Sequence, residues 1–320
     1  NKPQQVTSLE LQNLGQVDMG DAKTLVDFIQ WGVENFPAKR YFIDVWNHGS
    51  GWHRVQLSDI SFDDLSGHHI TTEQLGQAMS ESARLIGHKV DLYGSDACLM
   101  GMVEVASELS DSVDIFVGAE EVEPLAGWPY DAFLREWAKN PKMETREVAK
   151  ILTYEYMRSY VNGDEDAAEV TLSAFDLKRM PQLQDAFRAF SSQVLALGAE
   201  GIQDAAKRGR ETLTFYDSDY ADLGDFLLQL ERSSNRELQL PEFRSAVAGL
   251  RRELTQFVVA NDTTAEFARA QGAAFWLPYT GHQLDGHGTR YAELRFNRAT
   301  DWLPALRKLN TPTPAPLAVK

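Results

Sequence analysis

The chain has little sulfur, little imidazole and a shortage of positive charge. Among 320 residues there is one cysteine, Cys98, and there are seven histidines. A single cysteine excludes an internal disulfide and leaves one thiol to be explained. Lys and Arg number 31 against 47 Asp and Glu, a formal net charge of −16. Without a basic face to neutralise phosphates, nucleic acid is not an expected partner. A negative cleft would instead attract cationic substrates. No apolar run approaches the roughly 20 residues that cross a bilayer, so no membrane span is expected. A phosphate-binding glycine loop and internal repeats are also missing. What is present is ordinary globular material, 43% hydrophobic and 24% charged, enough for one large domain or two modest ones. The chain opens on Asn1 and is expected to be a mature form or a fragment, with any signal peptide upstream.

Apolar positions alternate between two periods. Residues 21–36 carry Leu25, Phe28, Ile29, Val33 and Phe36 on one helical stripe, with Asp21 as N-cap and Pro37 beyond the end. Residues 40–46, RYFIDVW, suit a strand buried on both faces. Helices are predicted at 71–87, 99–109 and 145–160, and strands at 89–95, 113–121 and 168–177. Strand and helix in turn, with short connections, predict βαβ units and a mainly parallel α/β sheet flanked by helices. From 178 to 260 the pattern is largely helical, and 272–280 is one late apolar strand.

In such a sheet, function collects beyond the carboxyl ends of the strands. His48, in WNHGSGW, follows the strand 40–46, and Cys98, in GSDACLM, follows the strand 89–95. If those strands are neighbours, imidazole and thiol face one cleft. A thiol of ordinary pKa, about 8.5, needs a base or a helix N-terminus to become a nucleophile. His48 can take its proton and return it to a leaving amine. Cys98 is expected to open the helix 99–109, whose free N–H groups favour a thiolate. The N–H groups of Gly49 and Cys98 are the expected oxyanion-hole donors. Nucleophile, base and oxyanion site together are the minimum for acyl transfer.

WNHGSGW and SDACLMGMVEVA, in this order and 50 residues apart from His48 to Cys98, resemble the clostripain family of cysteine peptidases in the caspase-like clan. The segments 14–31, 120–134, 220–227 and 273–279 are similar to that family too, so the resemblance covers most of the chain. It implies a caspase-like catalytic domain over 1–230 and a C-terminal helical subdomain over 231–310 that returns one strand; the Pro-rich end, 311–320, is expected to be a flexible tail. The resemblance also implies a thioester acyl-enzyme, a catalytic dyad of His48 and Cys98, and cleavage after arginine or lysine. Asp96 would sit in the S1 pocket, where a carboxylate pairs with the basic side chain. Glu120 and Glu121, at the end of the next strand, are expected to line the same cleft. Asp44 and Asn47 are weaker candidates for orienting His48. Secretion or a cell-envelope location follows by family habit.

Three departures from the family pattern stand out. A strand and helix that usually precede LGQVDMG are not in the sequence given, so a separate or removed N-terminal segment is one expectation. Residues 55–83 contain no Lys or Arg, so the loop between histidine and cysteine is expected to stay uncut by a basic-specific activity. Ser95 stands where a bulkier apolar residue is common, which would alter the pocket floor. No cofactor is required, although the acidic loops 61–67 and 162–169 leave calcium open. The pair His68 and His69 and the stretch GHQLDGH (281–287) lack zinc-ligand spacing, so no metal site is expected. Two other readings keep the fold. One is a binding protein with a vestigial site, marked by a thiol slow toward iodoacetamide. The other is a cysteine amidase that acts on small amides only.

Overall fold

The computed structural model describes residues 8–53, 59–162, 168–279 and 281–311. Its main sheet has five strands: β1 (Phe42–Trp46), β2 (Val90–Asp96), β3 (Val113–Gly118), β4 (Thr171–Asp176) and a later strand, Val258–Thr263. β1, β2 and β3 lie side by side and parallel. The helix α1 (Ala22–Asn35) precedes β1, and α2 (Thr72–Ile86) and α3 (Val103–Leu109) supply the crossovers. Their starts carry the expected chemistry. Asp21 accepts a bond from the N–H of Lys23 at the head of α1. Thr71 and Gln74 close a reciprocal capping box on α2.

β4 runs antiparallel to β3, where the alternation of elements predicted another parallel crossover. Two helices, α4 (Tyr130–Lys139) and α5 (Thr145–Asn162), lie between them in the chain. One helix returns a chain to the starting end of a sheet; a helix pair brings it back to the end it left, so β4 enters reversed. The strand β5 (Tyr220–Asp222) lies outside the main sheet. β6 (Val258–Thr263) adds to β4, and β7 (Ala274–Trp276) pairs with β5 in a separate two-stranded ribbon. Residues 231–310 therefore contribute two strands where one was expected. β6 went unread because the helix Pro241–Phe257 runs directly into it. β7 is shorter than the predicted 272–280 and closes just before Pro278, which cannot donate to a ladder.

Alternate residues of each strand feed two cores. Tyr93, Phe116 and Phe175 pack with α1 to α3 and the C-terminal helices in a core that reaches from Ile29 to Leu309. Leu92, Val117 and Ala174 pack with α4 and α5 around Phe133, Leu152 and Tyr156. Arg54, residues 163–167 of the second acidic loop and the tail from 312 lie outside the described residues.

One charged clamp ties the segment after His48 to the C-terminal half. Asp59 is buried, accepts the N–H of Thr72 at 2.7 Å and is paired with Arg290. Arg290 also reaches Glu73 at 2.7 Å and lies over the Trp52 ring. Removing the cation strands a buried carboxylate, which costs about 3 kcal/mol or more. Arg290→Leu is expected to lower unfolding stability by about that amount in urea titration. A loss under about 1 kcal/mol would mean that the clamp contributes little.

Candidate active site

The ladder between β1 and β2 sets Trp46 opposite Asp96, and the N–H of Asn47 still donates to the Asp96 carbonyl at 3.3 Å. The two chains therefore leave the sheet together, one toward His48 and the other toward Cys98. Gly49 shows how close they run. A Cβ built there would stand 2.5 Å from the carbonyl oxygen of Cys98 and 3.0 Å from the Ala97 Cβ. No side chain fits, and glycine is required by contact. Asn47 holds its loop by accepting the N–H groups of His48 at 2.7 Å and Phe62 at 2.9 Å. It fixes the backbone that carries the histidine rather than the imidazole. Among the described residues, no side chain hydrogen-bonds the exposed His48 ring.

Cys98 is half-buried. It does not open a helix, contrary to the sequence expectation: α3 begins at Val103. Leu99 takes a left-handed backbone, φ 62°, and the N–H groups of Leu99 and Gly101 donate across to the carbonyls of Glu121 and Ala119. Those bonds stitch residues 98–101 to the chain leaving β3, so helical bonding is delayed. The thiol thus has no helix N-terminus beside it. The N–H of Glu123 donates to its Sγ at 3.2 Å. Burial pushes the thiol above its ordinary pKa, and the charges of Glu121 and Asp96 add to this. These surroundings favour the protonated thiol.

The acidic positions separate by sheet face. Asp96 is buried, and its Oδ2 accepts the N–H of Trp128 at 3.1 Å and the Tyr130 hydroxyl at 2.6 Å. Tyr130 also donates to Asp44. Gly127, at φ 65°, has its Cα side 3.0 Å from the Asp96 carboxylate, measured to a would-be Cβ. Glu123 completes the group. Its Oε2 accepts from the Trp128 indole at 2.9 Å, and its proton affinity is raised by burial and by the Asp96 charge. One buried oxygen on each of Asp44, Asp96 and Glu123 accepts no N–H or O–H from the described residues, and the Glu123 and Asp96 carboxyls lie close enough to share a proton. None of the three carboxylates is paired there with Lys or Arg.

Glu120 and Glu121 go elsewhere. Glu120 is fully buried on the opposite face of the sheet, against Asp222, and burial holds its carboxyl protonated well above the usual range. Glu121 accepts the N–H of Tyr216 at 3.0 Å and that of Val122 at 2.7 Å, so it braces the turn before β5. Ser95 also faces away from Asp96, donating to the Tyr93 hydroxyl at 3.0 Å. It does not floor the acidic cluster. Sequence reasoning missed Glu123 and Tyr130; the run EEVEP offered a third glutamate, but nothing in the spacing told the three apart. Of the loops considered for calcium, 61–67 uses Asp63 to bind the N–H groups of Met19, Leu65 and Ser66.

The arrangement has the parts for acyl transfer beside a buried anionic cradle. The clostripain family model matches residues 1–307. Solved structures share the fold. A secreted C11 cysteine protease from Bacteroides thetaiotaomicron, bound to an irreversible peptide inhibitor, has a TM-score of 0.66 at 18% identity, covering 88% of this chain and 78% of that one. An inactive zymogen C11 protease from Parabacteroides distasonis gives 0.65 at 16%, covering 91% and 79%. A clostripain from Bacteroides thetaiotaomicron in complex with the peptide inhibitor BTN-VLTK-AOMK gives 0.56 at 14%, covering 75% and 98%. No curated protein matches.

Because Cys98 is the only thiol, its titration can be read without interference. The rate of iodoacetamide alkylation, followed by intact mass, is expected to keep rising above the ordinary thiol midpoint of about pH 8.5. Glu121→Gln removes a neighbouring negative charge that opposes the thiolate, so it should move the midpoint down. An unmoved midpoint in that variant would rule out Glu121 as a cause.

Proposed function

The chain belongs to the clostripain family and is a cysteine peptidase; from that premise we propose that it cleaves polypeptides after arginine or lysine, with Cys98 as nucleophile and His48 as base. The observation that carries the specificity is the cradle of Asp44, Asp96 and Glu123, three buried carboxyl groups that pair with no Lys or Arg among the described residues, with Asp96 two positions before the nucleophile. Burying such charge is costly unless something pairs with it. A guanidinium or ammonium group offers that pairing, bidentately in the case of arginine. The inhibitor named for one solved clostripain has lysine as the last residue of its peptide, which supports the same preference.

The chemistry follows from the groups in place. Sγ of Cys98 attacks the scissile carbonyl carbon while His48 accepts the thiol proton. The carbonyl oxygen becomes an oxyanion, with the N–H groups of Gly49 and Cys98 as its donors. His48 then passes the proton to the leaving amine, and a thioester remains. Water, deprotonated by His48, attacks the thioester; the acid departs and the thiol is restored. Surroundings that favour the protonated thiol fit a proton transfer that accompanies attack rather than a stable ion pair formed before it. Asp96 selects the P1 side chain, and Glu123 and Asp44, which burial holds toward their protonated forms, add charge only as a docking cation draws their protons off. Among the described residues no helix is long and apolar enough to cross a membrane. The secreted relative supports release from the cell.

Fluorogenic peptides with Arg, Lys, Asp, Asn or Leu at P1 test this reading directly. Turnover is expected for Arg and Lys alone and should vanish in Cys98→Ala. Asp96→Asn should lower kcat/KM on the basic substrates by about 100-fold, on the order of 3 kcal/mol. Turnover after Asp or Asn would sink the S1 assignment while keeping the nucleophile.

The cradle also predicts proton release on binding. Burial, with the charge of Asp96 adding to it, pushes the Asp44 carboxyl up to about 7. Below that pH Asp44 carries a proton, and an arriving cation favours its loss. Calorimetric binding of an arginine-mimicking inhibitor near pH 6 should release protons, seen as a heat that scales with the buffer's ionisation enthalpy. Buffer-independent heat would show that the cation does not reach Asp44.

A further inference from the structure

A second group of ligand-type side chains lies on the other side of the histidine loop. His53, five residues after His48, is buried, at 1% exposure. Asp217 and Asp219 stand in the turn before β5; Asp219 is buried, at 2% exposure, and Asp217 half-buried. One ligand atom from each of these three residues lies within 4.8 Å of the others. Atoms bound about 2.1 Å from one ion stand roughly 3–4 Å apart, so a small contraction would bring all three onto one centre. Among the described residues, no lysine or arginine pairs with either aspartate. The turn is held in place: Asp217 accepts the N–H of Asp219 at 2.9 Å, and Leu277 donates to the Asp219 carbonyl at 2.8 Å. The His287 ring stacks on that of His53, with centroids 4.4 Å apart.

We propose that His53, Asp217 and Asp219 form a divalent-metal site of zinc type that fastens the His48 loop to the β5–β7 ribbon. The donor set selects the ion. One imidazole nitrogen and two carboxylate oxygens suit zinc or its cobalt surrogate, with water completing the shell. Calcium takes six to eight oxygens and finds too few here. The site would act on structure. Tyr220, next to Asp219, donates to the Ser50 carbonyl at 2.7 Å, and Tyr216 is bonded to Glu121 beside Cys98. An ion at this point would lock the loop that holds His48 to the turn that braces the cysteine side.

The experiment uses the full chain with Cys98→Ser, which removes the thiol as a competing ligand, after dialysis against a chelator. Titration with cobalt, read by its visible absorption, and with zinc, read by calorimetry, should each show one equivalent bound. Zinc should raise the thermal midpoint by several degrees, and calcium should not. Asp217→Asn, at the half-buried position, should weaken binding at least tenfold while the metal-free midpoint stays near that of the parent. If that variant does not fold, Asp219→Asn serves for the same comparison. His68→Gln, which alters the surface histidine paired with Asp18, should leave binding intact. No bound equivalent, binding indifferent to Asp217→Asn, binding lost with His68→Gln, or a preference for calcium would each overturn the assignment. All four are read without turnover, so failure here is distinct from failure of the peptidase reading.

Discussion

Five paired residues of one parallel ladder, from Phe42 opposite Leu92 to Trp46 opposite Asp96, decide where the rest of the site falls. The register puts the last residues of β1 and β2 level, so the next two residues of one chain meet the next two of the other. A slip of one residue would turn Asp96 to the far face and send Gly49 past the Cys98 carbonyl. The contact at Gly49 is the tightest expression of this constraint, since even a methyl group would stand 2.5 Å from that oxygen. Neither His48 nor Cys98 needs a bond to the other to be placed. Backbone pairing and one missing side chain position both.

The same period-two geometry sorts the acids. Asp44 and Asp96 lie on the face packed by α4 and α5, beneath Trp128 and Tyr130, whereas Glu120 lies on the face of Asp222. The first group holds three buried oxygens that accept no N–H or O–H from the described residues. Such a group subtracts from stability in the free protein and is kept where a ligand repays it. The second group, Glu120 against Asp222, is buried in the same way, and both Glu120 oxygens also lack a partner among the described residues. What separates the two groups is the face of the sheet on which each lies.

This explains what could be read in advance. The strands β1 to β3, the helices between them, and the placement of His48, Gly49, Cys98 and Asp96 at one sheet edge were legible because each depends on local periodicity and on chain order. The reversal of β4 was not, because it follows from how many helices intervene. β6 was hidden by the helix that runs into it without a break. The start of α3 was misplaced by four residues because the N–H groups of Leu99 and Gly101 bond to a distant strand end, a tertiary preference that no local pattern records. Glu123 was invisible for a similar reason. It becomes part of the site only when the loop after β3 folds back over Cys98.

That loop is where binding and reactivity meet. Glu123 belongs to both halves of the site: its N–H donates to the Cys98 sulfur, and its carboxyl sits in the acidic cradle with Asp96 and Trp128. Glu121, two residues earlier, accepts from Tyr216 through its side chain and from Leu99 through its carbonyl. Burial raises the thiol's pKa, and the charges of Glu121, outside the cradle, and Asp96, within it, add to that. On the reading proposed above, a cationic P1 side chain would offset the Asp96 charge as it docks, so the charge that selects the substrate would also restrain the nucleophile until the substrate is present. On the proposed reading, specificity and activation are then one electrostatic event, and an acid removed from the cradle would loosen both together.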